Sequence, residues 1–208
     1  RDPLWSRGLG DVYKRQNRML FAAIFDYRNK IDRATYNAGI KIDEKNLPFK
    51  VERYFHMAVM GASRSYKLWR EDNWKYLLQE RHQQDGLSVY LTWGNDKERK
   101  AAESLAAQLG FVKVLPRLRL KEIAVLLSLS RSLVAVDTGL LHLANALNLP
   151  TVGIYPKTSV NNTRTEGRDY QRIVGGEAAL SPQLVSQEWK KALAYKLREI
   201  NDENTGSN

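Results

Sequence analysis

Apolar and polar residues alternate along this chain in two different rhythms, and the change between them marks the elements. From Val59 onward, short apolar runs of strand length are followed by longer stretches of helical period. Leu87 to Trp93 alternates as a strand, and Gly94-Asn95-Asp96 opens a helix that runs through Leu109 and stops at Gly110. Phe111 to Leu115 reads as a strand halted by Pro116, and Leu120 to Ser128 reads as a helix. Leu133-Val134-Ala135-Val136 is short, apolar and partly β-branched, as a strand covered on both faces requires. A helix over Leu140 to Leu147 follows it, then a strand over Thr151 to Tyr155 and a short strand over Gln171 to Val174. Helices are expected over about Arg70 to Gln83 and over Pro182 to Ile200, with residues 201–208 as a disordered tail. Repeated βα units of this kind imply an α/β fold, a doubly wound parallel Rossmann-like sheet.

The front of the chain does not follow this rhythm. Residues 1–16 show neither period and read as a non-native leader, set aside from fold reasoning. Residues 17–57 read as the remnant of a larger amino-terminal domain and its linker, and residues 58–200 as the Rossmann-like domain. Within the remnant, Phe49 to Met60 carries Val51, Tyr54, Phe55 and Ala58 on one helical face. Set against the family resemblance described below, the linker and much of the strand expected before the loop at Gly61 look missing between Met57 and Gly61.

Composition narrows the class. The chain has 208 residues, is 43% hydrophobic and contains no cysteine, which excludes disulfides, thiolate metal sites and cysteine nucleophiles. No apolar run is long enough to cross a bilayer and no signal-peptide pattern is present, so a soluble intracellular protein is expected. A net charge of +10 points to an anionic partner, although no block of five basic residues occurs. His56, His82 and His142 lack metal-ligand spacing, and no metal or cofactor is expected.

Three loops fall at expected strand ends, where open α/β sheets place their ligands. Gly61 to Lys67 offers small residues, Ala62, Ser63 and Ser65, whose backbone can approach a phosphate, and a lysine to neutralise it. Its plain alternative is a surface lysine beside a helix start. Trp93-Gly94-Asn95-Asp96-Lys97-Glu98 places acids where ribose hydroxyls could be held; the alternative is ordinary first-turn helix charge. Asp137-Thr138-Gly139 ends a strand and opens a helix, which suits an anion seat or, more plainly, a capping aspartate. His142 reads as a core histidine, with a cleft-facing position as the alternative. Taken together, the three loops suit a nucleotide diphosphate. Neither a G-x-G-x-x-G fingerprint nor a phosphate loop ending in Gly-Lys-Ser/Thr is present.

At these residues the chain resembles the ADP-heptose-dependent heptosyltransferases of lipopolysaccharide inner-core synthesis, in particular those adding the first heptose to Kdo. The resemblance is carried by Gly61-Ala62-Ser63-Arg64-Ser65-Tyr66-Lys67-Leu68-Trp69, by Trp93-Gly94-Asn95 with Glu98, and by Val136-Asp137-Thr138-Gly139-Leu140 with His142. It implies an inverting glycosyltransferase of the B type, of which this chain would be the carboxyl-terminal, donor-binding half. It further implies that Ala62 and Ser63 contact phosphate, that Lys67 pairs with the diphosphate and stabilises departing ADP, and that Glu98 holds ribose. Leu118 would lie near adenine, Asp137 would contact the heptose, and Thr138, Gly139 and His142 would shape the diphosphate seat. The catalytic base belongs to a Gly-Asp loop in the acceptor domain, which Gly10-Asp11 only imitates. The expected partners are the nucleotide-sugar donor ADP-heptose and a lipopolysaccharide precursor at the cytoplasmic face of the inner membrane, met by a cytoplasmic or peripheral monomer without nucleic acid. The fragment alone is expected to bind ADP weakly and to transfer nothing. Two other readings remain open: another B-type glycosyltransferase of lipopolysaccharide synthesis, and a non-catalytic basic module that binds nucleotides or nucleic acid.

Overall fold

The computed structural model describes residues 47–157, 168–175 and 180–205, the last five of these by backbone alone. The leader with its Gly10-Asp11 loop, residues 17–46 of the remnant and residues 206–208 of the tail lie outside the described residues. The described chain forms strands β1 (Phe55–Val59), β2 (Ser88–Leu91), β3 (Val112–Val114), β4 (Leu133–Val136), β5 (Thr151–Tyr155) and β6 (Gln171–Gly175). Between and after them come helices α1 (Glu71–Asp85), α2 (Asp96–Gln108), α3 (Leu120–Leu129), α4 (Gly139–Ala146) and α5 (Pro182–Thr205). A single 3-10 turn spans Ser65–Lys67.

All strands are parallel in one sheet of order β3-β2-β1-β4-β5-β6. The chain builds outward from β1 in one direction, then returns beside β1 with β4 and builds outward in the other. The order reverses between β1 and β4, and the crevice at such a reversal is where a ligand is held. The doubly wound sheet expected from the sequence is therefore present.

Strand composition follows position. The strands flanking the reversal, β1 (Phe-His-Met-Ala-Val) and β4 (Leu-Val-Ala-Val), are buried at every residue, as parallel strands covered on both faces require. The edge strands β3 and β6 keep partly open positions and carry Lys113 and Arg172. Alternate residues supply two cores, one on each face. On one face Ala58, Leu91, Val134, Val136 and Ile154 pack with Trp74, Leu77, Leu105 and Trp189 of α1, α2 and α5. On the other, Phe55, Met57, Val59, Leu133 and Ala135 pack with Ile123, Leu126, Leu127, Leu141 and Ala144 of α3 and α4.

Three expectations are corrected. Residues 55–59, read as part of a helical face, form β1, and the strand before Gly61 is complete at five residues. The cause is local ambiguity: Tyr54 is exposed and the five residues after it are buried without a break, so the spacing of Val51, Tyr54, Phe55 and Ala58 imitated a helix. His142 is exposed on α4 rather than part of the core, because Leu141 and Ala144 are the residues that α4 buries. Residues 201–205, expected to be disordered, continue α5.

A buried polar network ties α5 and α1 to the amino edge of the sheet. His56 on β1 is fully buried. Its Nε2 lies 2.9 Å from Asp85 Oδ2 and its Nδ1 lies 2.7 Å from Ser132 Oγ. Trp189 Nε1 donates to the same Ser132 Oγ at 2.7 Å. The network assigns the tautomer: Nε2–H donates to Asp85, and Nδ1 accepts from Ser132. Burial pushes His56 below its ordinary pKa and outweighs the carboxylate beside it. Burial alone would raise Asp85, but the hydrogen bonds from His56 and from the Leu87 amide, with the Arg81 guanidinium beside it, together hold it below the usual carboxylate range.

Candidate functional site at the carboxyl edge

Three loops leave the carboxyl ends of β1, β2 and β4, which are neighbours in the sheet. Extending the pairing registers past the strands sets Gly61 level with Gly94 on one side and with Asp137 on the other. The loops thus converge on one line across the edge, at the reversal of strand order.

The loop after β1 turns through Gly61 and Ala62, leaves Ser63 exposed and enters the 3-10 turn that ends at Lys67. That turn carries Lys67 across the crevice, where its Nζ lies 2.7 Å from Asp137 Oδ2. Asp137 is 8% exposed, so this is a well-shielded ion pair with geometry to match. The capping alternative for Asp137 is not what forms. Thr138 occupies the N-cap of α4 without a side-chain bond, and the Asp137 carboxylate turns to Lys67 instead. The first turn of α4 approaches the sheet closely because Gly153 lies beneath it. A Cβ on Gly153 would fall 2.6 Å from Leu141 Cδ2. This close approach holds Thr138 and the exposed Gly139 beside the Lys67–Asp137 pair, with His142 exposed one turn along.

The loop after β2 is held by its own cap. Asn95 is the N-cap of α2, its side chain accepting from Glu98 N at 3.0 Å. The Glu98 carboxylate reaches back and accepts from Gly94 N at 2.7 Å. It also lies against the β1 loop, since a Cβ on Gly61 would meet Glu98 Cδ at 2.3 Å. The two alternatives for these acids therefore merge. Glu98 is first-turn charge and also a carboxylate presented to the crevice.

Beside Glu98 is a cavity of about 350 Å³, walled by Ala62, Ser63 and Glu98 at its mouth and by Trp69, Trp74 and Ala102 within. Spacing gave no sign of this cavity. Trp69 and Trp74 meet edge to face, with ring centroids 5.4 Å apart, and their distance from the β2 loop in sequence hides the enclosure they form with α2. Leu118 lies half-buried between β3 and α3, packed against the core on the opposite face and outside the cavity wall. The site residues thus form a Lys67–Asp137 group beside α4 and an Ala62–Ser63–Glu98 group on the β2 side, joined through the loop at Gly61.

A parallel sheet with this reversal, and polar loops gathered above it, is a doubly wound, Rossmann-like domain, an architecture found in the B-type glycosyltransferases. Within that class the chain matches glycosyltransferase family 9 (heptosyltransferase) over residues 13–193 and belongs to that family. Lipopolysaccharide heptosyltransferase 1 of Pseudomonas aeruginosa is 35% identical over 209 aligned residues, covering 94% of this chain and 55% of the relative. The enzyme of the same name from Escherichia coli is 34% identical over 113 residues, covering 54% of this chain and 35% of that protein. Among solved structures, E. coli heptosyltransferase WaaC with ADP superposes with a TM-score of 0.55 at 26% identity, over 77% of this chain and 47% of the other. E. coli ADP-heptose lps heptosyltransferase II shares the fold, with a TM-score of 0.61 at 23% identity over 72% of this chain and 49% of that one. The chain therefore spans about half the length of the Pseudomonas relative.

Proposed function

We propose that this edge of the sheet binds ADP-heptose, and that the protein to which it belongs transfers the heptose to the Kdo region of the lipopolysaccharide inner core, with inversion. The observation that carries the reading is the Lys67–Asp137 pair, closed at 2.7 Å across the reversal of strand order. A lone shielded pair there is a poor source of stability but a suitable store for a cation that a diphosphate will use.

In this reading the diphosphate lies over Ala62, Ser63, Thr138 and Gly139, where small side chains leave the backbone open. Lys67 turns from Asp137 to the phosphates and stabilises the negative charge that grows on ADP as the anomeric bond breaks. Asp137, released, accepts hydroxyls of the heptose. Glu98 accepts ribose hydroxyls while Gly94 N–H keeps its carboxylate aimed, Leu118 approaches adenine, and His142 borders the phosphates from α4. Inversion needs a general base on the acceptor side; no group of the described site is assigned that role. The reading requires no metal and no resident cofactor. It supports a protein that works as a monomer at the cytoplasmic face of the membrane carrying its acceptor. No helix among the described residues is long and apolar enough to cross that membrane.

A thermal-shift screen of nucleotide sugars tests the donor assignment, because a ligand that binds only the folded chain raises Tm in proportion to its occupancy. ADP-heptose is expected to raise Tm most, with ADP next and UDP-glucose inert. Equal shifts from UDP-sugars, or none from any ADP compound, would overturn it.

A further inference from the structure

Trp93 heads the loop that carries Glu98, two residues past the end of β2, yet no contact with the donor is assigned to it. Its half-buried side chain reaches sideways to the neighbouring strand, where Nε1–H donates to Leu115 O at 2.7 Å. The backbone ladder between β2 and β3 explains why this bond is made by an indole. Val89 N donates to Phe111 O at 3.1 Å, and Leu115 N donates to Leu91 O at 2.9 Å. Carried further, the same alternation would have Trp93 N donate to Leu115 O. The indole N–H takes the place of that backbone bond. The Trp93 backbone is thereby free to turn out of the sheet towards Gly94 and Glu98. Leu115, buried at 5% exposure, still has a partner for its carbonyl. No ladder bond can follow, because the residue level with Trp93 is Pro116, which has no N–H.

The bond fastens the loop that leads to Leu118. β3 is an edge strand of only three residues. Beyond it, neither Arg117 nor Leu118 makes a hydrogen bond within the described residues. The far end of the loop is tied at Arg119, whose N–H is accepted by the Glu122 carboxylate at 2.6 Å. The course of the loop is therefore set by these two ends and by the packing of Leu118 against the core. The Trp93 ring has a second attachment, to α2. The Arg99 guanidinium lies 5.6 Å from the ring centroid, with Asp96 and Glu103 within 3.8 and 3.7 Å of its Nε. One side chain thus joins the helix whose first turn carries Glu98 to the loop that carries Leu118.

We propose that Trp93 is a positioning residue for recognition of the nucleotide base. Its indole N–H fixes Leu118, which meets the base, relative to the Glu98 carboxylate, which takes the ribose. The crevice then selects a nucleoside diphosphate that spans the two. Trp93 touches no part of the ligand and acts through Leu118. This role rests on the donor assignment and adds the residue on which its base recognition depends.

Calorimetry with ADP, and displacement of ADP by the base-free ribose 5-diphosphate, tests the role on the whole chain. The parent is expected to bind ADP more tightly than ribose 5-diphosphate. Trp93→Phe keeps an aromatic ring and removes the N–H. It is expected to weaken ADP about three- to tenfold, the worth of one hydrogen bond to a buried acceptor. Ribose 5-diphosphate should stay within about twofold of the parent, which also shows that the variant is folded. Glu122→Ala frees the other end of the same loop, away from the indole, and is expected to show the same selective loss. Arg99→Gln leaves the N–H in place and is expected to match the parent for both ligands. In a Leu118→Ala background, Trp93→Phe is expected to change ADP affinity by less than about twofold, because the side chain it positions is gone. A Trp93→Phe variant that binds ADP as the parent does would overturn the role and leave the donor assignment standing. So would a folded variant that loses both ligands alike, or a loss undiminished in the Leu118→Ala background. A parent that binds ADP no better than ribose 5-diphosphate would overturn it as well, and a parent that binds neither would remove the donor assignment itself.

Discussion

Replacing Gly61 by alanine adds one methyl group at the point where the β1 and β2 loops touch. The new Cβ would lie 2.3 Å from Glu98 Cδ and 2.6 and 2.7 Å from its two carboxylate oxygens, far inside contact distance. The obstacle is the end of a flexible side chain, so the chain folds and the carboxylate swings away. It then loses Gly94 N–H, now held at 2.7 Å, a loss of about 1 kcal/mol in stability at a half-exposed position. The larger effect is on ligand. A carboxylate bonded to ribose hydroxyls contributes about 1.5 to 3 kcal/mol, so ADP affinity is expected to fall about ten- to a hundredfold. Glu98→Ala should cause the same loss by removing the group outright. Calorimetry with ADP on both single variants and the double variant closes the cycle. In the Glu98→Ala background, Gly61→Ala is expected to change affinity by less than about twofold, because no carboxylate remains to displace. Full additivity of the two losses would refute the argument, as would an unchanged affinity in Gly61→Ala.

The buried network at the amino edge gives further expectations. Ser132→Ala removes the acceptor of Trp189 Nε1–H and the partner of His56 Nδ1, both at 2.7 Å. Two buried groups left unpaired should cost about 2 to 3 kcal/mol, a fall in Tm of about 4 to 12 °C in a scanning measurement. His56 is held below its unfolded value of 6.5 chiefly by burial, so the unfolded chain takes up a proton that the folded chain refuses. Stability is therefore level above pH 6.5 and falls below it, by at most about 1.4 kcal/mol per pH unit, until the folded pKa is reached. Glu52, Glu188 and Glu199, held below 4.5, act only in more acid solution. Denaturant unfolding between about pH 7.5 and about pH 5.5 should show the slope in the parent and lose it in His56→Gln; the same slope in both would contradict the assignment.

Much of this fold could be read from the chain because its strands obey simple rules. β4 and β5 are apolar runs bounded by punctuating residues, and they form over the residues expected. β1 was obscured by the spacing of Val51, Tyr54, Phe55 and Ala58, which imitates a helical face, and it carries His56, a polar residue in a fully buried strand. It is tolerated only because Asp85 and Ser132 arrive from α1 and the start of β4, and that satisfaction is tertiary. The exposure of His142 turns on which side of a short helix meets the sheet, which two buried positions, Leu141 and Ala144, decide. At the site, strand-end logic brought Lys67, Glu98 and Asp137 to one edge. It could not show that Lys67 and Asp137 close on each other, nor that Trp69 and Trp74 wall a cavity behind Glu98, since both depend on side chains far apart in sequence.

Calorimetry with ADP on the parent, Lys67→Ala and Asp137→Asn tests most directly whether Lys67 is a diphosphate lysine stored on Asp137. Lys67→Ala is expected to weaken ADP about ten- to a hundredfold, the worth of a charged contact to phosphate. Asp137→Asn is expected to tighten ADP by up to about fivefold, because the lysine no longer leaves a carboxylate partner, while ADP-heptose loses that gain with the sugar contact. Lack of ADP binding by the parent, or two variants that bind ADP as the parent does, would contradict the claim.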